Sequence, residues 1–196
     1  MRRDVNTGDV TGYSETMQIA IYGGSFNPPH VGHAMVASWL LWCEQVDEVW
    51  LTPTFAHAFD KELLDFELRA RMCAAMAGDV DPRVKVCEVE RELPVPSYTI
   101  QTLRLLRERH PDASFRLVVG ADILPQTPQW RSWEAIEAEF SPIIVGRGGY
   151  PEVPGAPTFP ALSSTNIRAR VRSGESVARL VNASVLPLLD GCWSPA

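Results

Sequence analysis

The apolar run Gln18–Tyr22 ends at Gly23-Gly24. The stretch Gly23-Gly24-Ser25-Phe26-Asn27-Pro28-Pro29-His30-Val31-Gly32-His33 then opens a helical pattern over Gly32–Cys43. This is a strand, a glycine-rich turn and a helix in succession. In a parallel sheet, ligands bind beyond the carboxyl ends of the strands, near helix N-termini. Glycines let backbone N–H groups approach an anion closely, and the positive end of a helix favours negative charge. His30 and His33 are three residues apart, so both reach one side of the first helical turn. Gly32 between them leaves room for a ligand, and two imidazoles there can donate to phosphoryl oxygens. The pattern GxxxxGK[ST] is absent and the glycine spacing is not GxGxxG, so neither a P-loop NTPase nor a dinucleotide dehydrogenase is supported.

Outward from this turn, strand-like and helix-like segments alternate. Strands are expected at Glu48–Thr52, Val84–Val89, Phe115–Val119 and Pro142–Val145, with Gly146–Gly149 as a turn. Helices are expected at Asp65–Ala77, Tyr98–Arg109, Trp133–Phe140, Thr165–Arg172 and Ser176–Leu189, and a Pro-rich loop at Pro151–Pro160. Apolar strands alternating with helices imply an α/β fold, a parallel sheet with helices on both faces. The 196 residues suit a single domain over residues 17–196. Residues 1–16 are polar and aperiodic and read as a disordered leader, with Met17 a candidate start.

Composition narrows the function. A net charge of −6 argues against a nucleic-acid or anionic-membrane binder, which needs a basic face. No apolar run approaches the ~20 residues that span a bilayer, and the N-terminus lacks a signal peptide's apolar centre. Cys43, Cys73, Cys87 and Cys192 form no CxxC pair and lie in apolar stretches, so they read as reduced core residues of a cytoplasmic protein. The acidity is uneven. Glu44–Glu67 carries seven acidic residues against one Lys, Gln18–Cys43 carries no Asp, Glu, Lys or Arg, and Ser163–Arg179 is net +3. A phosphate ligand would thus meet a charge-free histidine turn and the most basic part of the chain.

Three further motifs follow in order: Pro96-Ser97-Tyr98-Thr99 with Thr102-Leu103, Gly120-Ala121-Asp122 followed by Trp130, and Ser163-Ser164-Thr165-Asn166-Ile167-Arg168. With the HxGH turn behind GGSF, the set resembles the nicotinate mononucleotide adenylyltransferases of the HxGH nucleotidyltransferase superfamily, across residues 18–190. The resemblance implies a Rossmann-like nucleotidyltransferase fold. It implies a reaction that joins nicotinate mononucleotide to the AMP part of ATP, giving deamido-NAD and pyrophosphate in NAD biosynthesis.

By the same resemblance His30, His33 and Arg168 are catalytic. Gly23, Gly24, Ser25, Phe26, Gly120, Asp122, Ser164, Thr165 and Ile167 bind ATP. Asp122 takes the adenosine ribose, while Ser164 and Thr165 also cap their helix. Thr99, Trp130, Arg147, His57 and Lys61 bind the mononucleotide, Trp130 by stacking on the pyridine and Thr99 by its backbone N–H. Trp133 is assigned to the core. The partners implied are ATP and a pyridine mononucleotide, with a homo-oligomer compatible and no nucleic acid or membrane expected. Mg²⁺ is expected with ATP, bridged by phosphates and water, because no carboxylate cluster is evident. Where many relatives carry Pro-Pro-His-Lys after the second strand, this chain has Pro53-Thr54-Phe55-Ala56-His57-Ala58-Phe59-Asp60-Lys61. The altered spacing leaves nicotinate against nicotinamide open. Rival readings are a phosphopantetheine-type or cytidylyl acceptor, which Ser97-Tyr98-Thr99 and Trp130 disfavour, and a non-catalytic nucleotide binder, which His30, His33 and Arg168 disfavour.

Overall fold

The computed structural model describes residues 16–44, 46–56 and 63–193; most of the expected leader lies outside them. Within these residues six strands form one sheet: β1 (Met17–Gly24), β2 (Glu48–Pro53), β3 (Val84–Val86), β4 (Ala113–Gly120), β5 (Ile143–Arg147) and β6 (Thr158–Phe159). Their order is β3-β2-β1-β4-β5-β6, and every pairing is parallel. Among the described residues, five helices connect or follow them: α1 (Val31–Cys43), α2 (Phe66–Val80), α3 (Thr99–Arg109), α4 (Trp133–Phe140) and α5 (Ser164–Arg172). This is the α/β architecture the alternation predicts.

Strand periodicity separates two cores. Ala20, Val49, Leu51 and Val118 face one cluster with α1, α2 and Ile167 of α5. Ile19, Ile21, Phe115, Leu117 and Val119 face the other, with Ile100, Leu103 and Leu106 of α3 and Ile136 and Phe140 of α4. Successive residues of one strand point to opposite faces, so a sheet covered on both sides reads as an apolar run. Fully burying a side chain such as Leu40 or Leu103 contributes roughly 1.5–3 kcal/mol.

The chain order reverses between β1 and β4, which creates a switch point. These strands pair from Met17↔Ala113 to Ile21↔Leu117. Beyond that, Val118–Gly120 pairs with Ile143–Val145 of β5, and Tyr22–Gly24 pairs with Leu51–Pro53 of β2. The two strand ends part company, and the crevice opens there.

Five local expectations are corrected. The Ser176–Leu189 segment is a series of tight turns ending in a 3-10 turn at Leu186–Leu189, not a helix. The Pro-rich loop contains β6, because Gly146 N–H donates to Pro157 C=O at 2.7 Å and an edge strand needs donors on one side only. Gly146 and Arg147 lie in β5 rather than in a turn, and β3 stops at Val86, with Val89–Glu92 a 3-10 turn. Cys43 is exposed and Cys87 half-buried, whereas Cys73 and Cys192 are core residues, and all four thiols are free. Among the described residues, no helix is long and apolar enough to cross a membrane.

Candidate active site

A cavity of about 510 Å³ occupies the crevice at the switch point, within the range usual for small-molecule sites. Its floor comes from the carboxyl ends of β1, β4 and β5, through Gly23, Gly24, Gly120 and Arg147. Its walls are the first turn of α1 and the Ser163–Arg168 start of α5. Among the described residues its charged side chains are Arg147, Arg168, Arg172 and Asp122, so there cations outnumber the carboxylate in an acidic chain.

His30 is the N-cap of α1 and only 6% exposed. Its ring stacks on His33 with centroids 3.8 Å apart and planes 23° apart. The His30 backbone N–H donates to His33 Nδ1 at 3.1 Å. A neutral imidazole carries one donor and one acceptor, so this bond places the His33 proton on Nε2. His30 Nδ1 is buried without a hydrogen-bond partner among the described residues. A Cβ on Gly32 would stand 3.0 Å from that ring, so the glycine of the motif is what admits it. Burial, then the positive charge of Arg147, lowers the His30 pKa to about 4. Burial first, then His30 and Arg147, drives that of His33 well below its ordinary value. Both imidazoles are therefore neutral at neutral pH.

Aromatic packing completes the turn. Phe26 lies edge-on to His33 at 4.9 Å and to Tyr22 at 5.8 Å. Its φ of +45° is a left-handed conformation that is unusual for a bulky residue, and its buried ring holds it in place. Burial, then Asp122, raises the Tyr22 pKa.

At the end of β4, a Cβ on Gly120 would lie 2.4 Å from Asp122 Oδ1, so the glycine makes space for the carboxylate. Asp122 Oδ2 accepts from Arg147 Nη1 at 2.7 Å, and Arg147 Nη2 also donates to Leu162 C=O. Across the cavity, Arg168 donates to Asn27 C=O at 2.8 Å and to Thr165 Oγ1 at 3.1 Å. Ser164 Oγ donates to Pro28 C=O at 2.8 Å. Through these bonds α5 is fastened to the glycine-rich turn. The cap of α5 is Ser163, whose hydroxyl accepts from Asn166 N–H at 3.1 Å, in place of the expected Ser164 and Thr165.

The cavity gathers His30, His33, Arg168, Gly23, Gly24, Ser25, Phe26, Gly120, Asp122, Ser164, Thr165 and Arg147. Ile167 does not line it: its side chain is 1% exposed in the core and seats α5. Thr99 and Trp130 also lie outside its lining. Thr99 is the first residue of α3. Trp130 is half-buried, packs against the α3–α4 core and meets Trp133 edge-on at 5.7 Å. Arg131 stacks over Tyr98 at 4.8 Å and so joins these two segments. His57 and Lys61 lie outside the described residues.

Sequence reading missed Tyr22, Asn27, Arg172 and the Phe159–Leu162 wall. Arg172 had a signal: it lies four residues after Arg168 and shares its helix face. Arg69 had none. An arginine on a helix is expected in solvent, yet this one is 1% exposed. It donates to Leu64 C=O at 2.9 Å and to Ser25 and Thr54 C=O at 2.8 Å each.

Residues 21–170 match the family described as Cytidylyltransferase-like. A protein of Anaeromyxobacter sp. (strain K), named "Probable nicotinate-nucleotide adenylyltransferase", is 51% identical over 176 residues, 88% of this chain and 94% of that relative. A protein of the same name from Myxococcus xanthus (strain DK1622) is 39% identical over 172 residues, 87% and 90% of the two chains. Among solved structures, Plasmodium falciparum nicotinic acid mononucleotide adenylyltransferase complexed with NaAD aligns with a TM-score of 0.76 at 20% identity. The alignment covers 89% of this chain and 95% of that one, a likeness of fold.

Proposed function

We infer the function from a fixed premise: this chain belongs to the Cytidylyltransferase-like family and, within it, to the nicotinate-nucleotide adenylyltransferases. The protein is a nucleotidyltransferase that joins nicotinate mononucleotide to the AMP part of ATP, releasing pyrophosphate and forming deamido-NAD. The observation that carries this reading is the pair of stacked neutral imidazoles at the start of α1, facing Arg147 and Arg168 across one cavity.

The chemistry needs no protein nucleophile. A phosphate oxygen of the mononucleotide attacks the α-phosphorus of ATP in line, the new P–O bond forms, and the bond to the β,γ-pyrophosphate breaks. What remains for the protein is positioning and neutralisation of charge. Positioning of two reactants can supply up to ~7–11 kcal/mol. His33, donating through Nε2–H, is assigned to the α-phosphate and the transition state. His30 and the N–H groups of Gly24, Ser25 and Phe26 take neighbouring phosphate oxygens. Arg168, held by Asn27 C=O on one side, offers a planar, permanently charged donor to the β- and γ-phosphates. Asp122, fixed by Arg147, accepts from the adenosine ribose hydroxyls. The start of α3 at Thr99 receives the nicotinate carboxylate, and Trp130 stacks on the pyridine.

Among the described residues, no group of three or more His, Cys, Asp or Glu side chains is placed to hold a metal ion. Mg²⁺ entering with ATP would be held by the triphosphate and water and would supply charge neutralisation there. The test is pyrophosphate release with ATP-Mg²⁺ and a panel of nucleotides. Turnover with nicotinate mononucleotide is expected, and its absence with either pyridine mononucleotide refutes the function.

A further inference from the structure

One peptide group of this protein is held from both ends by opposite charges. The carbonyl of Thr54 accepts from Arg69 Nη2 at 2.8 Å. The N–H of the same peptide, on Phe55, donates to Glu90 Oε2 at 3.3 Å. Each charge also reaches elsewhere. Arg69 Nη1 donates to Ser25 C=O in the glycine-rich turn, and Arg69 Nε donates to Leu64 C=O just before α2. On the other side, Ser97 Oγ donates to Glu90 Oε2 and Thr102 Oγ1 to Glu90 Oε1, both at 3.2 Å. These two hydroxyls flank the first turn of α3, where Thr99 lies.

We propose that Arg69 and Glu90 are a positioning pair that sets the spacing between the two substrates through the Thr54–Phe55 peptide. The chain of contacts runs from the Ser25 carbonyl, through the guanidinium, the peptide and the carboxylate, to the start of α3. It therefore links the turn assigned to the ATP phosphates with the helix end assigned to the nicotinate carboxylate, and so rests on the function inferred above. Hydrogen bonds in series polarise one another, and ionised partners make them stronger. A charge at each end of one peptide fixes both its position and its direction. In-line attack depends on that spacing, since a misplacement of about 1 Å can cost ~10²-fold in rate. Neither side chain lines the cavity.

The experiment measures steady-state pyrophosphate release by wild type, Glu90→Gln, Arg69→Lys and the double variant, with each substrate varied, beside thermal melts. Glutamine keeps the shape of Glu90 but removes its charge; with the amide oxygen kept at the Oε2 position the Thr102 hydroxyl turns to accept, so the Phe55 N–H loses its charged acceptor. Glu90→Gln is expected to raise the KM for nicotinate mononucleotide about tenfold, with the KM for ATP within about twofold and an unchanged melt. Arg69→Lys should raise both KM values, because the ammonium lacks the guanidinium fork. The double variant should lose clearly less than the product of the two single losses, because both act on one peptide. For Glu90→Gln, a merely structural role would lower the melting temperature and shift both substrates together, and that pattern overturns the proposal. Multiplicative losses, or a mononucleotide KM for Glu90→Gln within twofold of wild type, also overturn it. Arg69 is buried, so if its lysine variant does not fold, the half-exposed Glu90→Gln decides alone. No wild-type turnover with nicotinate mononucleotide sinks the function and the pair together, whereas normal wild-type turnover beside unaffected variants sinks the pair alone.

Discussion

Replacing Gly120 by alanine tests the ribose assignment with a single methyl group. The added Cβ would stand 2.4 Å from Asp122 Oδ1 and 3.6 Å from its Cγ. Heavy atoms do not tolerate the shorter distance, so the carboxylate must retreat by about 1 Å to reach van der Waals contact. That is enough to break its 2.7 Å bond with Arg147. The obstructed atom is the free end of a side chain, and alanine narrows the unfolded ensemble, which offsets ~0.4–1 kcal/mol. Global stability should therefore change by under about 1 kcal/mol. Binding should not escape. Losing a carboxylate that accepts from ribose hydroxyls costs roughly 1.5–3 kcal/mol, or about 10- to 150-fold in kcat/KM for ATP. Pyrophosphate release at saturating mononucleotide and varied ATP measures this, with a denaturant melt as control. Asp122→Ala should show a loss of the same size, and the double variant no more than that. An ATP KM for Gly120→Ala within twofold of wild type would refute the reasoning, as would a double variant whose losses multiply.

Three further outcomes are expected. His33→Ala should lower kcat by ~10²-fold or more, as for loss of one transition-state donor, with an unchanged circular dichroism spectrum; unchanged turnover would dismiss His33 from the reaction. Burial holds the His30 pKa at about 4 against ~6.5 in the unfolded chain, where the proton binds first. Its contribution is therefore complete above pH ~6.5 and lost as pH falls towards 4, up to roughly 3 kcal/mol. Denaturant titrations at pH 7 and 4.5 should show wild type losing more stability than His30→Gln, and parallel losses would contradict the burial argument. Trp130→Ala should raise the KM for the mononucleotide about tenfold or more through lost stacking and leave that for ATP unchanged. A shift in the ATP KM alone would move Trp130 out of the pyridine subsite.

Much of this was legible in the sequence because local chemistry and fold agree. Gly23-Gly24 after an apolar run and His30-Val31-Gly32-His33 at a helix start can be read without tertiary information, and the structure puts them in one cavity. The Ser176–Leu189 misreading has a specific cause. Val177, Val181, Val185 and Leu189 recur every fourth residue and all are buried, as in a helix. Their backbone bonds instead close successive turns, Val181 N–H to Val177 C=O and Val185 N–H to Asn182 C=O, while Pro187 removes a donor. Ser184 is drawn away to Asp79, its hydroxyl donating at 2.7 Å. Period reports burial, and the path between buried points is a separate matter. Arg69 was invisible for the opposite reason. Its partners are carbonyls, which every residue carries, so no residue type marks them.

The two cores on either side of the sheet have a consequence for how this protein can diverge. The histidine turn on α1 and Arg168 on α5 rest on one apolar layer. The start of α3 and Trp130 rest on the other, with the strands as a partition. Substitutions that repack the α3–α4 layer act on the proposed acceptor side first, and the histidine turn and Arg168 across the sheet keep their own packing while acceptor preference drifts.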